Sequence, residues 1–341
     1  MGGSGSLAAV RRLVAVVVTY NRLDKLQDTV ARLLEAGPAD LAAVVVVDNA
    51  STDGTAAWLA GQSDPRIDVL SSARNDGGAG GFGRGMTRAL AAHDPDWLVL
   101  MDDDGRPAPG AFAAFHALDP EAQGWDGVAA AVYYPDGTIC DMNRPSRNPF
   151  QHVSVFVRTL LRVGGRNGFH LKPEAYEGDA PCPVDITSFV GFFVSKKAVE
   201  AADLPDPGLF VYGDDGLYTL GLSLAGRQLV FHPHVRFEHD CATFAVQDGR
   251  FQPLWKVYYY HRNLLFLYRA AAGWMFWPLM ALILPKWMLK GRRHRGEQRV
   301  FYRLLARAVW DGFRSDTSRT HGDVLALSAV ENGKVVLAQK Q

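Results

Sequence analysis

Residues 98–110, LVLMDDDGRPAPG, carry an apolar run into three successive carboxylates and then a Gly/Pro turn. Asp102, Asp103 and Asp104 repel one another, and desolvated charge is costly unless it is paired or bound to a cation. On a strand end, Asp102 and Asp104 alternate to one side and can reach a single ion, while Asp103 points elsewhere. Such oxygen donors suit a hard Mn2+ or Mg2+, ions that commonly hold substrate phosphates as well. A second acidic pair, Asp214–Asp215 in FVYGDDGLY, sits at the start of a helical pattern. It is compatible with the helix dipole and offers a candidate base. His239, in RFEHD, reads by itself as a core or surface histidine.

The stretch NDGGAGGFGRGM, residues 75–86, leads glycines into a helix. Glycines allow close backbone approach, a helix start offers N–H groups to an anion, and Arg84 adds charge. The stretch lacks the Gly-Lys-Ser/Thr ending of a Walker phosphate loop, and its glycines follow a third strand, so it fits the dinucleotide pattern less well still. Metal, diphosphate and base together describe a nucleotide-sugar site.

The elements that must hold these residues alternate strand and helix. RLVAVVVTYNR, LAAVVVVDNASTDGT, RIDVLSSARN and DWLVLMDDD read as strands separated by helical patterns. Apolar strands in this arrangement predict an α/β fold with a mostly parallel, Rossmann-like sheet covered on both faces. Ligands collect beyond the carboxyl ends of such strands. Tyr20–Asn21, Asp48, Asn75 and Asp102–Asp104 all fall there. After about residue 126 shorter strands and Pro/Gly-rich loops take over, and from about 250 the pattern becomes helical.

Lys+Arg and Asp+Glu both number 36, so no overall field argues for nucleic acid. Hydrophobic residues at 48% indicate a large core. Cys140, Cys182 and Cys241 are widely spaced and show no metal-ligand spacing, which fits a reducing, cytoplasmic setting. Residues 1–12, opening MGGSGS, read as a flexible tail or cloning scar.

The segments VVVTYNR, VVVVDNASTDGT, MDDDG and GDD resemble inverting family 2 glycosyltransferases of the GT-A fold. NDGGAGGFGRGM, FVGFFVSKKAV and FVYGDDGLYTLGLSLAG narrow the likeness to bacterial galactofuranosyltransferases, and WKVYYYHRNLL is shared with related rhamnosyltransferases. The resemblance implies a GT-A domain over residues 13–248 and a helical region over 249–341. It implies UDP-galactofuranose as donor, with Thr19, Tyr20, Asn21 and Asp48 at uridine and Asn75, Gly77, Gly78 and Arg84 near the diphosphate. Asp103 stays on the donor side. Mn2+ or Mg2+ falls to Asp102, Asp104 and His239, and the general base to Asp215 with Asp214 beside it. An aromatic pair on the acceptor side corresponds to Phe192–Phe193. Two other readings remain: a dTDP-rhamnose-dependent transferase, and a non-catalytic sugar-nucleotide-binding protein on the same fold.

Residues 273–307 join the Trp-rich run GWMFWPLMALILP to a basic stretch. Trp274, Trp277 and Trp287 suit a membrane interface and the cations suit anionic headgroups. The apolar run is short for a span and is bounded by Pro278 and Pro285. The expectation is peripheral attachment to the inner face of the cell membrane, near a polyprenyl-linked glycan acceptor.

Overall fold

The computed structural model describes residues 11–161, 165–241 and 250–329. The expectation for the N-terminal tail falls largely on residues 1–10, and the boundary expected at 248/249 falls within 242–249. Both lie outside the described residues.

The strands are β1 (Leu13–Thr19), β2 (Ala43–Asp48), β3 (Ile67–Ser71), β4 (Trp97–Asp102), β5 (Gly105–Pro107), β6 (Gly127–Tyr133), β7 (Cys182–Pro183), β8 (Phe192–Ser195) and β9 (Leu229–His239). They form one sheet in the order β3-β2-β1-β4-β8-β6-β9-β5, with β7 beside β9. The β3-β2-β1-β4 half is parallel, as the apolar strand runs require. β8 enters antiparallel between β4 and β6, and β6 with β9 is parallel again. Helices α1 (Leu23–Leu34), α2 (Thr55–Ala60), α3 (Gly77–His93) and α4 (Ala111–Ala117) intersperse the first half. α5 (Val153–Leu161), α6 (Glu174–Glu177), α7 (Lys196–Glu200) and α8 (Asp214–Leu224) belong to the second. α9 (Lys256–Ala272), α10 (Phe276–Lys290), α11 (Gln298–Phe313) and α12 (His321–Ser328) make the C-terminal bundle.

Alternation along β1 divides the core. Leu13, Ala15 and Val17 pack on one face of the sheet, Val14, Val16 and Val18 on the other, all buried. α3 lies so close over β1 and β2 that a Cβ on Gly85 would come 2.4 Å from Val16 Cγ1. Much of the glycine run is therefore helix, packed against the sheet. The bundle has its own core, with Tyr258, Leu265, Trp287, Phe301 and Leu304 buried in it.

One expectation for the C-terminal region is corrected. Trp287 is buried against His261 and stacks on Tyr268, so it is part of the bundle core and no interface anchor. The helical stretch Lys256–Arg293, of which the run GWMFWPLMALILP is a part, is by length and composition alone long enough and apolar enough to cross a membrane. Its first half is nevertheless committed to protein: Val257, Tyr258, Tyr259, Arg262 and Asn263 are buried.

Candidate active site

Register sets the carboxyl ends of the strands level. Thr19 pairs with Asp48 across β1 and β2, and Val18 pairs with Asp102 across β1 and β4. β5 lies antiparallel on β9 so that Gly105 pairs with His239. That pairing brings the imidazole to the aspartate run from the far side of the sheet.

β4 ends at Asp102, and Asp103–Asp104 turn away from the strand line. The side-to-side alternation expected of the three carboxylates is therefore not continued. Asp103 Oδ2 accepts from the Thr19 hydroxyl at 2.8 Å, and Arg22 donates to Asp103 Oδ1 at 3.2 Å and to Asp104 Oδ2 at 2.7 Å. Asp103 thus shares a guanidinium with Asp104, and the cluster is not unpaired. His239 Nε2 is 3.1 Å from Asp104 Oδ1, and His239 Nδ1 is 2.7 Å from Asn143 Oδ1.

Burial governs the ionisation of this cluster. It pushes the Asp102 carboxyl up to about 7, with the Asp104 charge adding to the effect. Burial likewise lifts Asp103 to about 6 against the pull of Arg22. Asp104 is buried too, yet hydrogen bonding and charge from His239, with Arg22, hold it below the ordinary carboxylate value. His239 responds in kind: despite burial, Asp104 and the nearby Cys140 and Cys241 raise it to about 12.

Asp214 and Asp215 open α8. Burial raises Asp214 well above the carboxylate range, and the charges of Asp215 and Asp102 add to it. The acidic groups at the end of β4 and the start of α8 therefore sense each other's charge. Asp215 is raised to about 6 by burial, partly offset by the N–H of Gly216, which donates to its Oδ1 at 2.6 Å. A Cβ on Gly78 would lie 3.7 Å from Asp214 Oδ2, so the start of α3 joins the same site.

Several residues expected on the donor side hold the scaffold. Asn21, with φ of 53°, accepts from Thr52 N–H at 2.6 Å, and Asp48 accepts from Ser51 N–H at 2.9 Å. Tyr20 is half-buried at the β1 edge. Asn75 accepts the N–H of Gly77 at 2.8 Å, and the N–H of Ala79 goes to the Phe210 carbonyl. Arg84 pairs with Asp76 and donates to Asn49 at 2.6 Å. The first turn of α3 consequently has fewer open N–H groups than the sequence suggested. Gly77 has φ of +71°, and a Cβ there would fall 1.9 Å from the Phe210 carbonyl oxygen.

Phe192 and Phe193 are corrected outright. Both are 0% exposed in β8, their rings packed into opposite faces of the sheet core, and neither lines an acceptor cleft.

Sequence reasoning missed the parts that act through others. Arg22 compensates two of the aspartates, and Lys256 stands near enough to Arg22 for that charge, with burial, to depress its pKa. Asn143 fixes the His239 ring. Asn263 donates to the carbonyls of Leu209, Val211 and Tyr212 at 3.0, 2.9 and 2.8 Å, and Arg262 donates to those of Gly208 and Leu209. These bonds hold a loop in which Phe210, Tyr212 and Gly213 all have positive φ, directly before Asp214. The WKVYYYHRNLL motif had marked this segment without revealing its role.

The family model for Glycosyl transferase family 2 matches residues 14–164. The galactofuranosyltransferase GlfT1 of Mycolicibacterium smegmatis is 32% identical over 232 residues, covering 67% of this chain and 71% of the relative. The chain belongs to glycosyl transferase family 2. An undecaprenyl-phosphate mannosyltransferase of Micrococcus luteus is 38% identical over 104 residues, 29% of this chain and 40% of that one. Among solved structures, GalNAc-T7 with UDP, GalNAc and Mn2+ superposes with a TM-score of 0.53 at 16% identity, over 75% of this chain. This chain spans 48% of that longer protein. The expected GT-A fold, with a helical C-terminal region, is what the glycosyltransferase has.

Proposed function

We propose that this family 2 glycosyltransferase moves galactofuranose from UDP-galactofuranose to a hydroxyl of a polyprenyl-linked glycan, with inversion at the anomeric carbon. The observation that carries the reading is the contact of His239 with Asp104 beside an Asp102 whose charge is felt at Asp214. The proposed cation site and base pair then lie within electrostatic reach of each other. The relationship to galactofuranosyltransferase GlfT1 supports the sugar.

The donor set fits a hard divalent ion. Asn143 accepts from His239 Nδ1–H, which directs Nε2 toward Asp104, and loss of the Nε2 proton would make it a nitrogen ligand. Asp102, Asp104 and His239 would hold Mn2+ or Mg2+, and the GalNAc-T7 structure contains Mn2+. The bound ion supplies charge neutralisation for a departing diphosphate. Asp215, held near 6, accepts the acceptor's hydroxyl proton at neutral pH, with Asp214 beside it and the Gly216 N–H keeping that carboxylate in place. Thr19, Tyr20, Asn21 and Asp48 border the uridine side, and Asn75, Gly77, Gly78 and Arg84 the diphosphate side.

The enzyme docks on an anionic membrane. Trp274 and Trp277 are 83% and 64% exposed, next to exposed Leu282, Met288 and Leu289 on α10. α5 adds Val153, Val157, Leu160 and Leu161, all exposed, and Asn148 just before it donates to the Ala271 carbonyl at the end of α9. A lipid-linked acceptor cannot leave the bilayer, so attachment serves encounter. The partial match to a polyprenyl-phosphate enzyme supports this.

The test is UDP release by the full chain from UDP-galactofuranose with Mn2+ or Mg2+ and a polyprenyl-linked acceptor, with the product anomer read by NMR. Inverted product is expected. Turnover with dTDP-rhamnose alone would overturn the sugar assignment, and UDP binding without turnover would favour a non-catalytic role.

A further inference from the structure

Cys140 and Cys241, 101 positions apart, converge behind the His239 ring. Among the described residues, Cys140, His239 and Cys241 are the one group of three metal-ligating side chains whose ligand atoms all lie within 4.8 Å of each other. We propose that Cys140 Sγ, Cys241 Sγ and His239 Nδ1 form a soft-metal site that takes Zn2+. It is separate from the oxygen-rich site on the opposite edge of the same imidazole.

The argument is one of geometry and ligand type. Tetrahedral zinc with bonds of about 2.3 Å to sulfur and 2.0–2.1 Å to nitrogen sets its ligands roughly 3.5–4 Å apart. Cys140 Sγ is 3.8 Å from His239 Nδ1, already at that spacing. Asn143 Oδ1 stands 2.9 Å from Cys140 Sγ, and Met142 Sδ is 3.6 Å from Cys241 Sγ, so an oxygen and a thioether lie beside the two thiols. Cys140 is wholly buried, while Cys241 is half-buried and gives an entry path. Thiolate ligands select zinc over magnesium or manganese, and each thiol releases its proton on coordination.

Zinc at Nδ1 displaces the hydrogen bond to Asn143 and places the ring proton on Nε2, facing Asp104. An Nε2–H cannot ligate a second cation. Soft-metal occupancy and hard-metal ligation by His239 are then mutually exclusive, a consequence that rests on the proposed donor-metal reading. The binding claim does not rest on it.

The experiment reads thiols in the reduced full-length protein, with neither donor nor acceptor present. Zn2+ is added at one ion per chain, alkylation of each cysteine by iodoacetamide is followed by mass spectrometry, and Co2+ is titrated in parallel. The expected result is protection of Cys241 and Cys140 with unchanged alkylation at Cys182, which lies apart in β7 and serves as internal control. A sulfur-to-cobalt charge-transfer band is expected as well. In Cys241→Ser, a half-buried position that leaves the core intact, Zn2+ affinity falls at least about tenfold. Cys140→Ser provides the second arm. Equal protection of all three cysteines, or Zn2+ affinity unchanged in Cys241→Ser, overturns the site whatever the donor proves to be.

Discussion

His239 Nε2, at the end of β9, and Asp104 Oδ1, in the turn between β4 and β5, stand 3.1 Å apart although 135 positions separate them in sequence. Asp104 also accepts from Arg22, so its charge is part of the folded structure as well as of the proposed metal site. Asp104→Asn is expected to abolish Mn2+-dependent UDP binding and to lower stability by about 1–3 kcal/mol, because two cationic groups lose their anion. Denaturant melts and UDP titrations with and without Mn2+ check both. Stability and Mn2+ dependence matching the parent would contradict the assignment.

Asp215→Asn keeps shape and removes the proton acceptor. UDP-sugar binding should persist while transfer falls by about 10²-fold or more. In the parent enzyme the carboxyl is held up at about 6, so the accepting form is lost as pH drops through that value. Transfer should therefore rise with pH through about 6 and then level off. Near-normal turnover of Asp215→Asn, with Asp214→Asn inactive, would hand the base role to Asp214.

Asn263→Asp replaces three amide hydrogen bonds with a carboxylate facing the carbonyls of Leu209, Val211 and Tyr212. Each orphaned buried bond costs about 1–3 kcal/mol, so a marked fall in stability is expected. Transfer should fall more than UDP binding, since the loop leads directly into Asp214–Asp215 and meets the proposed donor side only at the start of α3. Equal loss of both would point to general unfolding.

His261 is kept neutral by burial, its pKa depressed to about 3, and its Nδ1 bonds the Val257 carbonyl. The unfolded chain takes up a proton near 6.5 and the folded chain does not, so this residue's stability contribution falls as pH drops from 6.5 toward 3. The slope is at most about 1.4 kcal/mol per pH unit. Melts of His261→Phe across that range should show a pH dependence shallower by one proton. An identical slope would mean that the imidazole is protonated in place.

Trp274→Ala/Trp277→Ala should reduce co-sedimentation with anionic liposomes at low salt, and high salt should weaken the parent's binding, since each nearby Lys or Arg contributes on the order of 1 kcal/mol. Leu160→Ser/Leu161→Ser tests α5 as part of the same surface. Parent protein that stays in the supernatant with every lipid would leave these faces without a membrane role.

The parallel half of the fold was legible because β1, β2 and β4 are buried on both faces and spell that out in Val, Leu and Ala. Asp102–Asp104 and Asp214–Asp215 were legible as carboxylates at element ends. What escaped were relations that only pairing creates. β8 is short and apolar, so Phe192–Phe193 gave no sign of lying inside the sheet. The β5–β9 register that delivers His239 to Asp104 has no local signature. Nor does the fold-back that gathers Cys140 with Cys241, two thiols whose spacing had suggested no shared ligand.

The grip of α9 on the segment before Asp214 makes this enzyme less modular than its sequence match implies. The matched region ends at residue 164, yet the proposed base lies beyond it and is held in place by a helix from the C-terminal bundle. A protein trimmed after β9 would retain both faces of the sheet core and lose the hydrogen bonds that shape the base loop. Transplanting the bundle between relatives would carry base geometry with it. The bundle and the acidic pair form one structural unit, so substitutions on the proposed membrane-docking helices can reach Asp214–Asp215 through α9.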